Sequence, residues 1–192
     1  MECADIREVV GLHATLRDDW PVGAVDAVPA ARTLLVTYAA EVTSHDRLAA
    51  HIRGLATGTG PSAPARTVEI AVTYDGDDLA EVAYLTGLTA EEVVRRHLAG
   101  QYVVAFCGFA PGFAYLTGGE PVLDVPRRAT PRTRVPGGSV ALAGQFTGMY
   151  PRPGPGGWQL IGRTDATLWD LGQEPPALLV PGTCVRFVRA RP

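Results

Sequence analysis

The stretch VPGGSVALAGQFTGMYPRPGPGGWQLIGR, residues 135–163, decides the fold. Glycine and proline interrupt it every few residues, while the apolar runs at 140–143 and 158–161 between them require burial. The same texture extends from QYVVAFCGF (101–109) to CVRFVRARP (184–192). Short strands separated by tight turns are typical of a small barrel or sandwich. We therefore predict an all-β domain over residues 101–192.

The first hundred residues mix helical and strand patterns. The spacing of apolar residues and the capping signals predict helices over 4–18, over 46–54 after Ser44, after the aspartates at 75–78, and over 90–100 after a capping box that begins at Thr89. Alternating apolar residues predict two strands within 23–39 and another over 67–74, and residues 56–66 have the composition of a loop. The fold class is therefore α+β, with a small N-terminal α/β domain over residues 1–100.

Composition excludes several classes of protein. A net charge of −3 argues against a general nucleic-acid binder, and no apolar run reaches the roughly 20 residues of a membrane span. The first residues, MECADIREVV, lack the apolar segment of a signal peptide. The three cysteines, at 3, 107 and 184, have no paired spacing, which indicates reduced thiols and a cytoplasmic location.

Lysine is absent, so every basic side chain apart from histidine is an arginine. This chain therefore has no Walker A lysine, no Schiff-base lysine and no serine–lysine nucleophile pair. Patterns of dinucleotide-binding, zinc-protease, serine-hydrolase and EF-hand sites are also absent. If ATP takes part in the function, it is bound without a P-loop or by another chain.

Residues 125–164 carry positive charge without a single acid; their six arginines are 127, 128, 132, 134, 152 and 163. A guanidinium group presents a planar fork of donors that pairs with carboxylate or phosphate. One interpretation is that these arginines are solvated or pair with acids elsewhere in the chain. The other is that they bind an acidic small molecule, and the glycine- and proline-stiffened backbone favours this interpretation.

Other chemically active side chains have structural explanations. Ser139 has no histidine near it in sequence and is interpreted as a turn residue, while Cys107 is interpreted as a buried apolar residue. The aspartates at 75, 77 and 78 lack the spacing of a metal loop and are interpreted as helix caps. No metal site is predicted.

Three motifs carry a resemblance to a known family: FxPGFAYL at 109–116, PRRxxPRxxVPxGSVAxAG at 126–144 and QxTGxYPxxxPGGWxLIGRT at 145–164. The chain resembles the family of the 5-oxoprolinase B subunit, also called KipI or allophanate hydrolase subunit 1. The resemblance implies a cyclophilin-like β-barrel that follows the N-terminal domain in the sequence. It also implies assembly with the KipA-like C subunit and the A subunit into an enzyme that uses ATP to open 5-oxoproline to glutamate.

Two alternatives stay open within the same family. One is a KipI-like inhibitor of a histidine kinase, and the other is the carboxyltransferase half of a biotin-dependent urea carboxylase. The family usually has a strand ahead of the first helix. We therefore expect the N-terminal sheet to lack a strand, or the true start of the protein to lie elsewhere.

As part of an enzyme complex, the chain is expected to contribute hydrogen bonds and charge to a shared active site and to be inactive alone. The predicted catalytic residues are Arg127, Arg128, Arg132 and Gln145. The predicted substrate-binding residues are Arg134, Pro111, Gly112, Tyr150, Gly156, Gly157 and His97. ATP is expected to act through the assembled complex.

Overall fold

The computed structural model describes residues 1–55 and 66–190, so the loop predicted over 56–66 lies almost wholly outside the described residues. The chain divides into two compact units, Met1–Ala65 and Arg66–Pro192. This division differs from the boundary predicted after residue 100. The reason is that the strand Thr67–Val72 pairs with the last strand of the chain and thereby joins the large sheet of the second unit.

The first unit has mixed helices and strands, as predicted. Its elements are α1 (Ile6–Asp18), β1 (Ala24–Pro29), β2 (Leu34–Tyr38) and α2 (His45–Gly54). The side chain of Asp5 accepts hydrogen bonds from the first backbone N–H groups of α1, and Ser44 caps α2 as predicted. Strands β1 and β2 are antiparallel and form a two-stranded sheet within the described part of this unit.

The second unit contains two helices and nine strands among its described residues. In chain order these are β3 (Thr67–Val72), α3 (Leu79–Thr86), α4 (Ala90–Ala99), β4 (Tyr102–Cys107), β5 (Ala114–Thr117), β6 (Arg132–Val135), β7 (Ser139–Ala143), β8 (Phe146–Met149), β9 (Gly154–Gly156), β10 (Gln159–Arg163) and β11 (Cys184–Arg189). A short 3-10 helix, Pro121–Leu123, follows β5. Thr89 accepts a hydrogen bond from the Glu92 N–H at the start of α4, which confirms the predicted cap.

Seven strands form one sheet in the order β10-β7-β8-β5-β4-β11-β3, and β6 pairs with β9 in a separate ribbon. The two ends of the large sheet meet. Thr73, just after β3, donates to the carbonyl of Arg163 on β10 at 2.9 Å and accepts from the Arg163 N–H at 2.8 Å. The sheet is therefore a nearly closed barrel, and the predicted cyclophilin-like barrel is confirmed.

The barrel strands bury side chains on both faces. On β7, Val140 and Leu142 join the large interior cluster, whereas Ala141 and Ala143 join a second cluster on the outer face. This two-residue alternation follows from the pleat of a strand. Because both faces are covered, β7 is buried along its whole length.

Candidate functional site

The carboxylate of Asp78 holds two of the predicted arginines. Arg132 donates from Nη1 to Oδ2 and from Nη2 to Oδ1, both at 2.8 Å, and Arg128 donates to Oδ1 as well. The Leu160 N–H on β10 adds a hydrogen bond to Oδ2 at 2.7 Å. The Asp78 side chain is only 3% exposed. This is a bidentate, buried ion pair with a second guanidinium on the same carboxylate.

The environment of Asp78 keeps it ionised. Burial favours the neutral acid, but the hydrogen bonds from Arg132 and from the Leu160 N–H outweigh that effect and lower the pKa of the carboxyl below its usual value. Asp78 stands at the N-cap position of α3 without a capping hydrogen bond. The capping role predicted for this aspartate is therefore wrong, because its oxygens are taken by two arginines that are distant in sequence.

Arg128 and Arg132 therefore help to build the site. Arg132 donates from Nη1 and Nη2, whereas Arg128 donates from Nη1 alone and its buried Nε has no hydrogen-bond partner among the described residues. Arg132 lies on β6 opposite Gly156 on β9, and the Arg128 N–H donates to the carbonyl of Gly157 at 2.8 Å. The ion pairs with Asp78 thus fix the β6–β9 ribbon and the 126–128 segment against the start of α3. Both arginines were predicted to be catalytic; the structure shows their contacts with Asp78, and the catalytic role stays a prediction.

An aromatic face lies on the outside of the barrel. It consists of seven rings in mutual contact: Phe106, Phe109, Phe113, Tyr115, Phe146, Tyr150 and Trp158. Most contacts are edge-to-face, the arrangement that aromatic quadrupoles favour. Gly148 makes room for this face, because a Cβ atom there would lie 2.9 Å from Trp158 Cζ3 and 3.0 Å from Phe113 Cζ.

Arg127 is the predicted arginine that lies beside this aromatic face. Burial raises the pKa of Tyr115 and of Tyr150, and the Arg127 charge opposes the rise at both hydroxyls. The guanidinium is therefore within electrostatic reach of the two tyrosines. Arg127 is exposed and makes no ion pair or hydrogen bond through its side chain with any described residue. Its guanidinium donors therefore have no partner among the described residues.

The other predicted binding residues fall into different groups. Arg134 is exposed on β6 and has no ion-pair partner among the described residues, and Gln145 is exposed in the turn between β7 and β8. Gly156 has a packing role, because a Cβ atom there would collide with the Tyr150 hydroxyl. Gly157 accepts the hydrogen bond from Arg128 described above.

The loop between β4 and β5 carries Pro111 and Gly112. Pro111 is exposed, and Gly112 has φ of 83°, a conformation that favours glycine. A Cβ atom on Gly112 would also lie 2.9 Å from Trp169 Cβ and 3.0 Å from the carbonyl of Leu168. The glycine therefore allows this loop to approach the 168–169 segment closely.

His97 is not brought to the outer face with the other predicted residues. It is fully buried inside the barrel, where its ring contacts Tyr102 and Phe187 and its Nδ1 lies 2.7 Å from the Tyr74 hydroxyl. Burial lowers the pKa of His97 to about 3. His97 is therefore a neutral residue packed in the apolar interior. Because its side chain has no exposed surface, this geometry leaves no room for a direct contact with substrate.

Two features of the site were missed by sequence reasoning. The first is Asp78, whose role follows from a fold that brings the start of α3 to β10. The missing counter-charge in 125–164 was a signal that some acid elsewhere had to balance these arginines. The second is Tyr115 with the aromatic face, whose rings come from 106–158 and gather because the strands carrying them are neighbours in the sheet.

The described residues of the second unit thus combine a nearly closed barrel with an aromatic outer face and an exposed arginine. Residues 1–179 match the family model described as "Carboxyltransferase domain, subdomain C and D", and the chain belongs to that family. None of the described helices is long and apolar enough to cross a membrane.

Curated relatives carry a consistent name. The chain is 49% identical over 127 residues to the 5-oxoprolinase B subunit of Bacillus subtilis (strain 168), and the match covers 65% of this chain and 53% of the relative. It is 51% identical over 126 residues to the 5-oxoprolinase B subunit of Escherichia coli O157:H7, covering 64% of this chain and 58% of the relative. The matched region thus spans little more than half the length of these relatives.

Solved structures extend the likeness to nearly the whole chain. The crystal structure of TTHA0988 has a TM-score of 0.81 and 42% identity, covering 97% of this chain and 37% of that one. PH0987 from Pyrococcus horikoshii has a TM-score of 0.63 and 34% identity, covering 99% and 90%. The Kluyveromyces lactis urea carboxylase, at 16% identity and a TM-score of 0.70, shares the fold over 97% of this chain and 20% of its own.

Proposed function

We propose that the chain is one subunit of an ATP-dependent 5-oxoprolinase, which opens the lactam of 5-oxoproline to give glutamate. Curated relatives about half identical to it carry the name of the 5-oxoprolinase B subunit, which supports this assignment. In this proposal the outer face of the barrel binds the carboxylate of the substrate.

The observation that carries the proposal is the state of Arg127. Its neighbours Arg128 and Arg132 are paired with Asp78, whereas Arg127 is exposed beside Tyr115 and Tyr150 and has no acidic partner among the described residues. An arginine beside the aromatic face can bind a carboxylate, because two parallel N–H donors of the guanidinium match the two carboxylate oxygens. Arg134 and Gln145 are proposed as further donors from the exposed edges of β6 and the β7–β8 turn.

The chain is proposed to act within a complex and to be inactive alone. It has no lysine to serve as a P-loop lysine, so we assign ATP binding to the complex assembled with the A subunit and the KipA-like C subunit. Its own contribution is to bind and orient the acid, which raises the local concentration of substrate in the correct geometry. We propose a cytoplasmic location, in line with its unpaired cysteine spacing.

The test uses the complex of this chain with the A and C subunits, with ATP-dependent release of glutamate as the readout. Replacing Arg127 by Met is expected to lower kcat/KM for 5-oxoproline by about 10²-fold, the usual effect of losing one well-placed charged donor. The matched control is Arg163→Met, because Arg163 lies in the same arginine-rich stretch but pairs with the exposed Asp75.

Several outcomes of this experiment separate the explanations. A loss confined to Arg127→Met supports the proposal. Equal activity in wild type and Arg127→Met removes Arg127 from the site, and ATP-dependent glutamate release by the isolated chain contradicts the need for a complex. A wild-type complex without any lactamase activity contradicts the proposed function itself.

A carboxyltransferase role is a second candidate, because the family model carries that description. A biotin group is attached to lysine, and this chain has none, so a separate carrier protein would have to deliver carboxybiotin. Carboxylation of urea by the chain with a biotinylated carrier would support it. The kinase-inhibitor alternative stays a prediction, and an autophosphorylation assay with a candidate histidine kinase tests it.

A further inference from the structure

Phe109 has an unusual backbone conformation. It is the single non-glycine residue with positive φ among residues 1–55 and 66–190, with φ of 67°. The Ala110 N–H donates to the carbonyl of Gly108 at 2.7 Å, two residues back, so Phe109 is the central residue of a γ-turn. With positive φ this is the rare and strained form of that turn. Strained residues of this kind concentrate at binding sites.

The strained turn holds an aromatic ring in solvent. Phe109 is 61% exposed, so burial does not compensate for the conformation. The loop is closed by two further hydrogen bonds, from the Gly108 N–H to Phe113 O at 3.2 Å and from the Phe113 N–H to Ala110 O at 2.9 Å. The short loop therefore fixes the direction of the Phe109 ring. The stability of the fold does not require a fixed direction for a ring that is exposed to solvent.

Phe109 and Arg127 share a neighbour. The Phe109 ring lies edge-to-face with Tyr150 at a centroid distance of 6.0 Å, and Arg127 acts electrostatically on the hydroxyl of the same tyrosine. Phe113 supports the Phe109 ring from the barrel side at 5.3 Å. The exposed Phe109 ring therefore packs against the same tyrosine on whose hydroxyl the unpaired Arg127 charge acts. That combination fits a small acid with a carboxylate at one end and an uncharged ring at the other.

We propose that Phe109 is a specificity residue, which packs against the ring methylenes of a small cyclic carboxylic acid whose carboxylate pairs with Arg127. This inference rests on the proposed function, in which 5-oxoproline is that acid. Glutamate, the product of lactam hydrolysis, carries a second carboxylate and an ammonium group where 5-oxoproline carries an uncharged lactam. A carboxylate placed against the Phe109 ring would lose its water and gain no hydrogen-bond partner. The Phe109 ring therefore favours release of the product.

The test compares Phe109→Gly with Phe109→Tyr in the assembled complex. Glycine adopts positive φ without strain and removes the ring, whereas tyrosine keeps the ring. For Phe109→Gly we expect the KM for 5-oxoproline to rise about tenfold, the effect of losing one half-buried apolar contact. The kcat and the KM for ATP should stay near wild type, as should all constants of Phe109→Tyr. The Phe109→Gly variant should unfold at a urea concentration no lower than wild type.

A second readout separates this inference from the proposed function. Equilibrium dialysis of labelled 5-oxoproline against each complex measures binding without turnover. Binding by the wild type that weakens about tenfold in Phe109→Gly, with no ring opening in any complex, keeps the inference and rejects the proposed function. Ring opening with an unchanged KM in Phe109→Gly overturns the inference alone.

The remaining outcomes also decide. Neither binding nor turnover in the wild-type complex overturns both proposals. If Phe109→Gly weakens the assembly of the complex while the KM of the complex that still forms is unchanged, the ring contacts a partner chain. That result also overturns a role in recognising the acid.

Discussion

Two pairs of arginines in the same short stretch behave in opposite ways. Arg128 and Arg132 turn inward onto the buried carboxylate of Asp78, whereas Arg127 and Arg134 are exposed and have no ion-pair partner among the described residues. Arg127 and Arg128 are adjacent in sequence. The difference shows that arginines close together in sequence can be in different states: one pair is held by a buried acid, and the other is exposed and, in the proposed function, binds the substrate.

The division has a simple electrostatic reason. Asp78 pairs with both inward guanidinium groups and Asp77 lies 3.8 Å from Arg132, so two acids balance the anchored pair and the charge of Arg127 stays uncompensated. The anchor also fixes the β6–β9 ribbon, which limits the conformations open to the exposed arginines. Preorganised charge of this kind acts on a ligand without a further cost of reorganisation.

Removing the shared carboxylate should have the largest effect on stability. Asp78→Ala leaves Arg128 and Arg132 partly buried without a counter-charge, and breaking a buried pair in this way costs about 3–5 kcal/mol. Urea unfolding followed by circular dichroism measures the change. The matched control is Asp77→Ala, since the Asp77 side chain is 78% exposed and lies 3.8 Å from Arg132. It should change the free energy of unfolding by less than about 1 kcal/mol, and equal losses in both variants would contradict the anchoring role of Asp78.

The pH dependence of stability extends the comparison to His97. Asp78 is a buried charge with partners, whereas His97 is a buried group that stays neutral. The folded pKa of His97, about 3, lies below the ordinary value of 6.5, so the unfolded chain binds the proton more tightly. Stability is therefore lost as pH falls below 6.5, at a rate approaching about 1.4 kcal/mol per pH unit. The contribution of Asp78 is lost only at lower pH, near and below the ordinary pKa of a carboxyl group.

Urea unfolding of wild type and His97→Gln between about pH 6.5 and 5 measures this effect. Tyr74 and Tyr102, which contact the histidine, stay neutral in this range because burial raises the pKa of both hydroxyls. The variant should show a shallower slope, whatever its stability at neutral pH. Parallel slopes would mean that His97 is not the group that takes up the proton on unfolding.

The smallest expected effect is on tyrosine ionisation. The Arg127 charge lowers the pKa of Tyr115 and Tyr150 against the rise caused by burial. Arg127→Met should therefore raise the pKa of both hydroxyls, which an ultraviolet difference titration detects as later tyrosinate absorbance. Arg134→Met is the control and should leave the titration unchanged. A shift of the same size in both variants would show that the effect is a general field and not the proximity of Arg127.

The fold was largely predictable from the sequence. Glycine and proline punctuation with short apolar runs predicted a small barrel or sandwich, and the family resemblance implied the barrel. Ser44 and Thr89 are the helix caps they were predicted to be. The boundary between the units was not predicted, because the strand predicted over 67–74 is followed by helical patterns up to residue 100 and was grouped with the N-terminal elements. Nothing in that stretch reveals that β3 pairs with β11, at the far end of the chain.

The site was predicted only in part. The sequence identified the arginines but could not divide them, because the division depends on which guanidinium reaches Asp78 across the fold. His97 was expected at the site, yet its helix turns it into the barrel interior. The strained conformation of Phe109 is also invisible in sequence, since its motif contains glycine and proline that explain a turn equally well without it.

The most direct measurement of this division of roles is the free energy of unfolding, by urea titration, of Arg132→Met and Arg127→Met side by side. Arg132→Met should lose about 1.5–3 kcal/mol, the contribution of hydrogen bonds to a charged group. Arg127→Met should stay within about 0.5 kcal/mol of wild type, as an exposed substitution without a protein partner does. A large loss in Arg127→Met, or none in Arg132→Met, would contradict the separation of anchoring from ligand-binding arginines.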